Sequence, residues 1–136
     1  MEMRVRFAEK RKVDAEFDGF TVATDQPVDE GGDGSAPAPF DLFIASIATC
    51  AGFYVLRFLQ TRDIDPAGAG LIVRTVRDED AHLVRRIELD VRLPEGFPEK
   101  YRRAVVRAVD KCSVKRHLVD PPEIVVETIP AQGAND

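Results

Sequence analysis

Apolar and charged side chains alternate in several short segments of the chain, which is the pattern of half-buried β-strands. Residues 3–7 alternate in this way at the start of the sequence. Residues 15–17 and 20–24 are two further strand-like segments, and they flank Asp18-Gly19. That dipeptide is favoured in tight hairpin turns. The opening of the chain is therefore predicted to be a small antiparallel meander.

The longest uncharged segment predicts a long, buried helix. Residues 42–56 carry no charge and are bounded by Asp41 and Arg57. Pro39 and Asp41 suit a first helical turn, because proline lacks an amide that would go unpaired and a carboxylate complements the helix dipole. A membrane-spanning helix needs about 20 apolar residues. The segment is shorter and contains serine, threonine and glycine, so we interpret it as a core helix rather than a membrane span.

Two strands and a second helix are predicted after a Pro-Gly break at residues 65–70. Residues 71–77 and 83–93 are strand-like, and the strict alternation in the second segment indicates one packed face and one wet face. A helix starting at Pro98 carries one apolar stripe. The stripe consists of Tyr101, Ala104, Val105, Ala108, Val109 and Cys112.

The C-terminal part is predicted to contain a short helix at residues 113–119 and a closing strand at residues 124–126. Residues 131–136 are predicted to be a disordered tail. The order of elements predicts a single α+β domain over residues 1–130, in which a long buried central helix and a second helix pack against an antiparallel sheet.

Composition and charge narrow the function classes. The net charge of -5 argues against a nucleic-acid partner. The basic residues that do cluster have helical spacing, so we interpret them as the wet face of a helix; they are Arg102, Arg103, Arg107, Lys111, Lys115 and Arg116. Residues 1–10 contain no apolar signal core, which predicts a cytoplasmic location and no membrane partner. Two cysteines and two histidines without a CxxC pair predict no metal site.

The two cysteines are the main candidates for chemistry. Cys50 and Cys112 both fall on predicted apolar helical surfaces, and free cysteine is often an inert core residue. A reactive thiol instead needs a pKa lowered by a nearby cation or a helix N-terminus. Cys50 lies about ten residues into its helix, too far for the dipole to act strongly. Its activating cation is therefore expected to come from elsewhere in the fold, and both interpretations stay open from the residues alone.

Three segments of the sequence carry a resemblance to a known family. Residues 31–50, GGDGSAPAPFDLFIASIATC, have a Gly-rich loop and prolines leading into a helix with Cys50. Residues 108–118, AVDKCSVKRHL, surround Cys112. Together with the hairpin at residues 18–25, these segments resemble the OsmC/Ohr family over nearly the whole chain.

The resemblance implies a fold and a reaction. It implies an OsmC-like fold in which two chains intertwine as a homodimer, with active sites at the interface and no cofactor. It implies that Cys50 attacks an organic hydroperoxide and that Cys112 resolves the sulfenic acid as a disulfide. A dithiol of the lipoyl type would then restore both thiols.

The sequence also departs from the pattern of the peroxidase members. Phe40 stands ten positions before Cys50, where those members carry a glutamate that holds an arginine over the thiolate. Asp41 is one step along, and one helical step rotates a side chain by about 100°. Arg11 is the candidate for the arginine. Both Arg11 and Asp41 are weak candidate site residues, and Asp41 is more simply a first-turn residue.

Two other polar residues near the cysteines have simpler interpretations. We interpret Arg57 as a charged residue where the buried helix emerges, and His117 as a surface residue. The loss of the glutamate favours an alternative function, a non-peroxidase of the same fold that binds a small hydrophobic ligand or performs another thiol redox reaction. A purely structural role, with both cysteines packed in the core, is the third hypothesis.

Overall fold

The computed structural model describes residues 1–130, so the predicted tail at 131–136 lies outside the described residues. Five strands and three α-helices follow one another along this part of the chain: β1 (Arg4–Phe7), β2 (Val13–Phe17), β3 (Phe20–Val22), α1 (Pro39–Gln60), β4 (Gly70–Asp78), β5 (Leu83–Arg92), α2 (Arg102–Val109) and α3 (Ser113–Val119). The α+β architecture predicted from the sequence is confirmed.

The N-terminal strands form an antiparallel sheet in the order β1-β2-β3. Phe17 pairs with Phe20 across the second hairpin. Asp18 and Gly19 between them have φ angles of 48° and 81°. Positive φ at both central residues is the requirement of the type I′ hairpin turn, which explains why the Asp-Gly dipeptide occurs there. The predicted meander is confirmed.

Helix α1 is longer than the uncharged segment that predicted it. It begins at Pro39, and the Asp41 carboxylate accepts a hydrogen bond of 3.1 Å from the amide of Ala38, the residue that caps the helix. By length and apolar composition alone, α1 could cross a membrane. Here it packs against β4, α2 and α3. This packing supports the interpretation as a core helix.

One face of α1 forms the centre of the core, and part of the other face is open in the single chain. Its buried residues follow helical spacing and are Ile47, Ala51, Val55, Phe58 and Leu59. Val55, Phe58 and Leu59 pack with Val105 of α2 in the main hydrophobic cluster. Phe53 and Leu56 project from the other side and are exposed. The prediction that α1 is buried therefore holds for one face of the single chain.

Strands β4 and β5 form a second antiparallel pair, separate from the N-terminal sheet. Leu71 pairs with Val91 in this hairpin, and both side chains pack against the main hydrophobic cluster. A register shift between Val76 and Arg77 interrupts the regular pairing near the tip of the hairpin. The alternation predicted for residues 83–93 is thus used to pack one face of the hairpin against the helices.

Two sequence predictions in the C-terminal part need correction. Cys112 is not on the stripe of the second helix, because α2 ends at Val109 and Cys112 is the residue preceding α3. The predicted strand at 124–126 is not formed: residues 120–130 have no regular structure and are exposed. A strand needs a neighbouring edge to satisfy its backbone hydrogen bonds, and no strand within residues 1–130 pairs with this segment.

Candidate thiol site

The fold brings the two cysteines together although they are 62 positions apart in the sequence. Cys50 lies on α1, and Cys112 lies in the turn that leads from α2 into α3. The two thiols are neighbours, and each shifts the pKa of the other. The Cys50 Sγ also lies 3.6 Å from the Ser113 Oγ. Residues from two distant parts of the sequence therefore form one compact thiol site.

The surroundings of Cys50 favour its thiolate. Burial is the largest single influence and raises the pKa of Cys50. Hydrogen bonds from the Cys112 thiol, the Val114 amide, and the hydroxyl and amide of Ser113 together outweigh it. They lower the pKa of Cys50 from 9.0 to about 7. A large share of Cys50 is therefore ionised at neutral pH, which is the state in which a thiol is nucleophilic.

Cys112 is held in the opposite protonation state. Burial raises the pKa of Cys112 first, and the hydrogen bond that its thiol donates to Cys50 raises it further. Its side chain is fully buried, with 1% exposure, whereas Cys50 is partly exposed. The pair therefore combines an accessible thiolate with a protonated partner thiol beside it.

Within the single chain, hydrogen-bond donors rather than a cation lower the pKa of Cys50. Within residues 1–130, the groups that lower the pKa of Cys50 most are a thiol, a hydroxyl and two backbone amides. Ser113 supplies two of these donors and was not singled out from the sequence. A signal was available, because serine directly after Cys112 and at the start of a predicted helix is typical of a helix N-terminus, where amides are unpaired.

The two weaker site predictions, Arg11 and Asp41, are placed away from this hydrogen-bond network. Arg11 is exposed and lies over Gly31, where an added Cβ would sit 3.4 Å from the Arg11 Nε. Asp41 accepts the capping hydrogen bond at the start of α1. Neither residue is among the groups that shift the Cys50 pKa in the single chain. The simpler interpretation of Asp41 as a first-turn residue agrees with this geometry.

The other two polar residues near the cysteines are both on the surface. Arg57 is exposed on α1, two turns beyond Cys50. The Nδ1 atom of His117 lies 2.6 Å from the carbonyl oxygen of Ser113, one turn earlier in α3. The His117 ring therefore makes this hydrogen bond within its own helix.

A buried aspartate, which no sequence pattern indicated, organises the loop that leads into α1. Asp25 is fully buried and accepts hydrogen bonds from the Gln26, Asp33 and Ser35 amides and from the Ser35 hydroxyl, at 2.7–3.2 Å. The Ser35 hydroxyl contributes most to lowering the pKa of Asp25. The Gly-rich sequence predicted a loop but gave no sign that one carboxylate would fix its shape.

Gly32 makes this tight loop possible. A Cβ at this position would lie 1.9 Å from the Gln26 carbonyl oxygen and 2.8 Å from the Asp25 carboxylate. Only glycine leaves room for the backbone to approach so closely. The loop is thereby fixed just before α1, which carries Cys50.

Comparison with known proteins identifies the family. The model of the OsmC-like protein family matches residues 32–127. This span contains both cysteines and the helices α1, α2 and α3. The chain belongs to the OsmC-like protein family. No curated protein matches the chain.

Several solved structures share the fold. A protein from Psychrobacter arcticus, described as an osmotic stress induced and detoxification response protein, is 23% identical with a TM-score of 0.72, over 84% of this chain and 85% of that chain. The organic hydroperoxide resistance protein OsmC from Legionella pneumophila is 17% identical with a TM-score of 0.56, over 86% and 87%. A Vibrio cholerae protein, described as an organic hydroperoxide resistance protein with captopril in one of its active sites, is 18% identical with a TM-score of 0.53, over 87% and 84%. At these identities the likeness establishes the fold alone.

Proposed function

We propose that this OsmC-like protein reduces organic hydroperoxides through Cys50 and Cys112. The observation that carries the proposal is the pairing of the two thiols as neighbours in one site, with the pKa of Cys50 lowered to about 7 and the pKa of Cys112 raised. Membership of the family and the hydroperoxide resistance proteins among its structural neighbours support a redox role.

In the first step the Cys50 thiolate attacks one oxygen of the peroxide bond. A sulfur–oxygen bond forms, the O–O bond breaks, and the leaving alkoxide takes a proton to become an alcohol. Cys50 is oxidised to sulfenic acid, and the peroxide is reduced. The partly exposed position of Cys50 gives the peroxide access.

In the second step the Cys112 sulfur attacks the Cys50 sulfenic acid. A disulfide forms, and the hydroxyl group of the sulfenic acid leaves with the Cys112 proton as water. The two thiols are close enough for each to shift the pKa of the other, which supports a direct attack of one sulfur on the other. An external dithiol, for which a lipoyl-type reductant is our proposal, then reduces the disulfide by exchange and becomes a cyclic disulfide itself.

We propose a cytoplasmic homodimer as the working form. The exposed apolar face of α1 and the exposed segment 124–129 support a dimer, because a stable monomer rarely exposes so many large apolar side chains together. Arg11 and Asp41 remain weak site candidates on this proposal. In a homodimer, Arg11 could act on the thiol site of the partner chain, which the single chain does not contain.

Peroxide consumption by two matched variants tests the proposal. With cumene hydroperoxide and dihydrolipoamide, Cys50→Ser is expected to abolish turnover. Cys112→Ser is expected to consume about one peroxide per chain quickly and then to over-oxidise Cys50 to sulfinic and sulfonic acid. Wild-type rates in both variants would overturn the assignment.

A second candidate function is the binding of a small hydrophobic ligand. A cleft of about 340 Å³ lies between α1 and the start of β4 and is lined mainly by apolar residues, including Gly52, Leu56 and Leu71. Phe40, in place of the family glutamate, is consistent with this alternative. Two results would favour ligand binding over the peroxidase function. An apolar dye would bind saturably to the wild type and not to Gly52→Leu, and peroxide would leave both thiols unreacted.

A further inference from the structure

A second cleft concentrates positive charge on an otherwise acidic protein. It has a volume of about 700 Å³ and runs between α1 and α2. Four cationic residues line it, and they are Arg57, Arg62, Arg107 and Lys111. The chain as a whole has a net charge of -5. Such a local excess of cations is therefore a property of this cleft and not of the surface in general.

The cations of the cleft are not neutralised by neighbouring carboxylates. Among the ion pairs formed by residues 1–130, none involves these four residues. Within residues 1–130, Asp110 is the one acidic residue that lines the cleft, and its carboxylate already pairs with Lys115. The cleft therefore presents a surplus of positive charge to a ligand.

One of the arginines is held in place before any ligand arrives. The Arg62 guanidinium lies 3.7 Å from the centre of the Phe58 ring and 5.2 Å from that of Tyr101. Its Nη1 also donates to the Phe58 carbonyl oxygen and the Thr61 hydroxyl, at 3.4 and 3.3 Å. A side chain that is already ordered loses less entropy when it binds.

We infer that this cleft binds a small phosphorylated molecule. Arginine guanidinium groups match the geometry of phosphate oxygens with two parallel hydrogen bonds, and lysine adds a mobile point charge. The volume lies within the range of small-molecule sites, about 300–1,000 Å³. A phosphate group matches the four cations better than a carboxylate does, because it carries a charge of about −1.5 to −2 and offers three strong acceptor oxygens.

This site is distinct from the thiol pair and goes beyond the proposed peroxidase function. None of its four cations takes part in the hydrogen bonds that set the Cys50 pKa. Loss of peroxidase activity and loss of phosphate binding are therefore separable. A Cys50→Ser variant is expected to bind the phosphorylated ligand as tightly as the wild type.

Equilibrium dialysis with radiolabelled probes tests the inference. The reduced full-length protein is dialysed in low-salt buffer against pyrophosphate, adenosine monophosphate or octanoate. The double variant Arg57→Gln/Arg107→Gln removes two cations of the cleft. Its matched control, Arg77→Gln/Arg86→Gln, removes two exposed arginines of the β4–β5 hairpin that do not line the cleft.

The expected result is saturable binding of pyrophosphate and adenosine monophosphate, one per chain. The Arg57→Gln/Arg107→Gln variant should weaken the binding of both phosphate probes by at least about tenfold, because two charge-assisted contacts are lost. The Arg77→Gln/Arg86→Gln control should change the affinity by less than about twofold. Equal weakening by the control would show nonspecific attraction and overturn the site. Binding of octanoate alone would overturn the phosphate assignment, and absence of binding by all three probes would overturn the inference altogether.

Discussion

At the scale of single residues, the reactivity of Cys50 depends on hydrogen-bond donors. The sequence suggested a cation, yet the groups that lower the Cys50 pKa are the Cys112 thiol, the Val114 amide, and the hydroxyl and amide of Ser113. A hydrogen bond to an anion is about twice as strong as a neutral one. Several such donors can therefore outweigh the effect of burial, which acts in the opposite direction.

Replacement of the Ser113 hydroxyl tests this explanation. Ser113→Ala removes one donor to the thiolate, so the pKa of Cys50 is expected to rise. One hydrogen bond to a charged group at a partly exposed site contributes about 1 kcal/mol. Because the loss of that energy raises the pKa of Cys50, alkylation by iodoacetamide at pH 7 is expected to slow by about threefold. The measurement is the alkylation rate against pH in the Cys112→Ser background, in which the midpoint of the profile is expected to move to higher pH when Ser113 is replaced.

Ser46→Ala is the matched control for this experiment. Ser46 lies on α1, the helix that carries Cys50. Its hydroxyl donates to the Phe43 carbonyl oxygen within the helix and not to a thiol. The rate should rise with pH in all variants, since the thiolate is the reacting form. An unchanged profile in Ser113→Ala would mean that the hydroxyl does not stabilise the Cys50 thiolate.

At the scale of elements, the loop before α1 is fixed by one buried carboxylate and one close backbone contact. Asp25 gathers four hydrogen bonds from residues 26–35, and Gly32 allows the chain to pass close to Gln26. The loop ends shortly before Pro39, the first residue of the helix that carries Cys50. Its shape therefore sets where α1 begins.

A methyl group at Gly32 is expected to disrupt this loop. The added Cβ would meet the Gln26 carbonyl oxygen at 1.9 Å, so the backbone must shift and hydrogen bonds to Asp25 must lengthen. We expect Gly32→Ala to lower the free energy of unfolding by about 2 kcal/mol or more, the range for strain and lost buried hydrogen bonds. Urea denaturation followed by circular dichroism measures it.

Gly70→Ala is the control for Gly32→Ala, because a Cβ at Gly70 meets no atom within 4 Å and its φ is not positive. Its free energy of unfolding is expected to stay within about 0.5 kcal/mol of the wild type. Equal stability of the two variants would show that the loop relaxes freely and that Asp25 does not fix it.

The sequence predicted the elements that depend on local patterns. The Asp18-Gly19 hairpin, the start of α1 at Pro39, and α3 at residues 113–119 follow from turn propensity, helix-start signals and spacing. The failures involve partners distant in sequence. The strand at 124–126 has an apolar pattern but no edge to pair with in the single chain, and the donors to Cys50 come from a segment more than 60 residues away.

At the scale of the whole molecule, the single chain leaves a large apolar surface open. Phe53 and Leu56 on α1 are exposed, as are the large apolar side chains of residues 124–129. Val126 is 88% exposed although it lies in a segment with the pattern of a strand. A second chain that supplies a strand edge would cover these side chains and satisfy their backbone groups.

Aspartates introduced into the segment 124–129 are expected to prevent dimer formation. At micromolar concentration we expect the wild type to elute as a dimer in size-exclusion chromatography with light scattering. Ile124→Asp/Val126→Asp should give monomers or aggregates, because buried unpaired carboxylates are costly. Val106→Asp, which changes an exposed valine on α2, is the control. A wild-type monomer would contradict the proposed assembly.

The central claim is that Cys50 is the attacking thiol and Cys112 the thiol that resolves it. The most direct test is intact-mass and free-thiol analysis of the reduced protein after one equivalent of cumene hydroperoxide, followed by peptide mapping. Our account predicts rapid loss of both thiols and a Cys50–Cys112 disulfide within one chain. Two intact thiols after the peroxide has been added would contradict it.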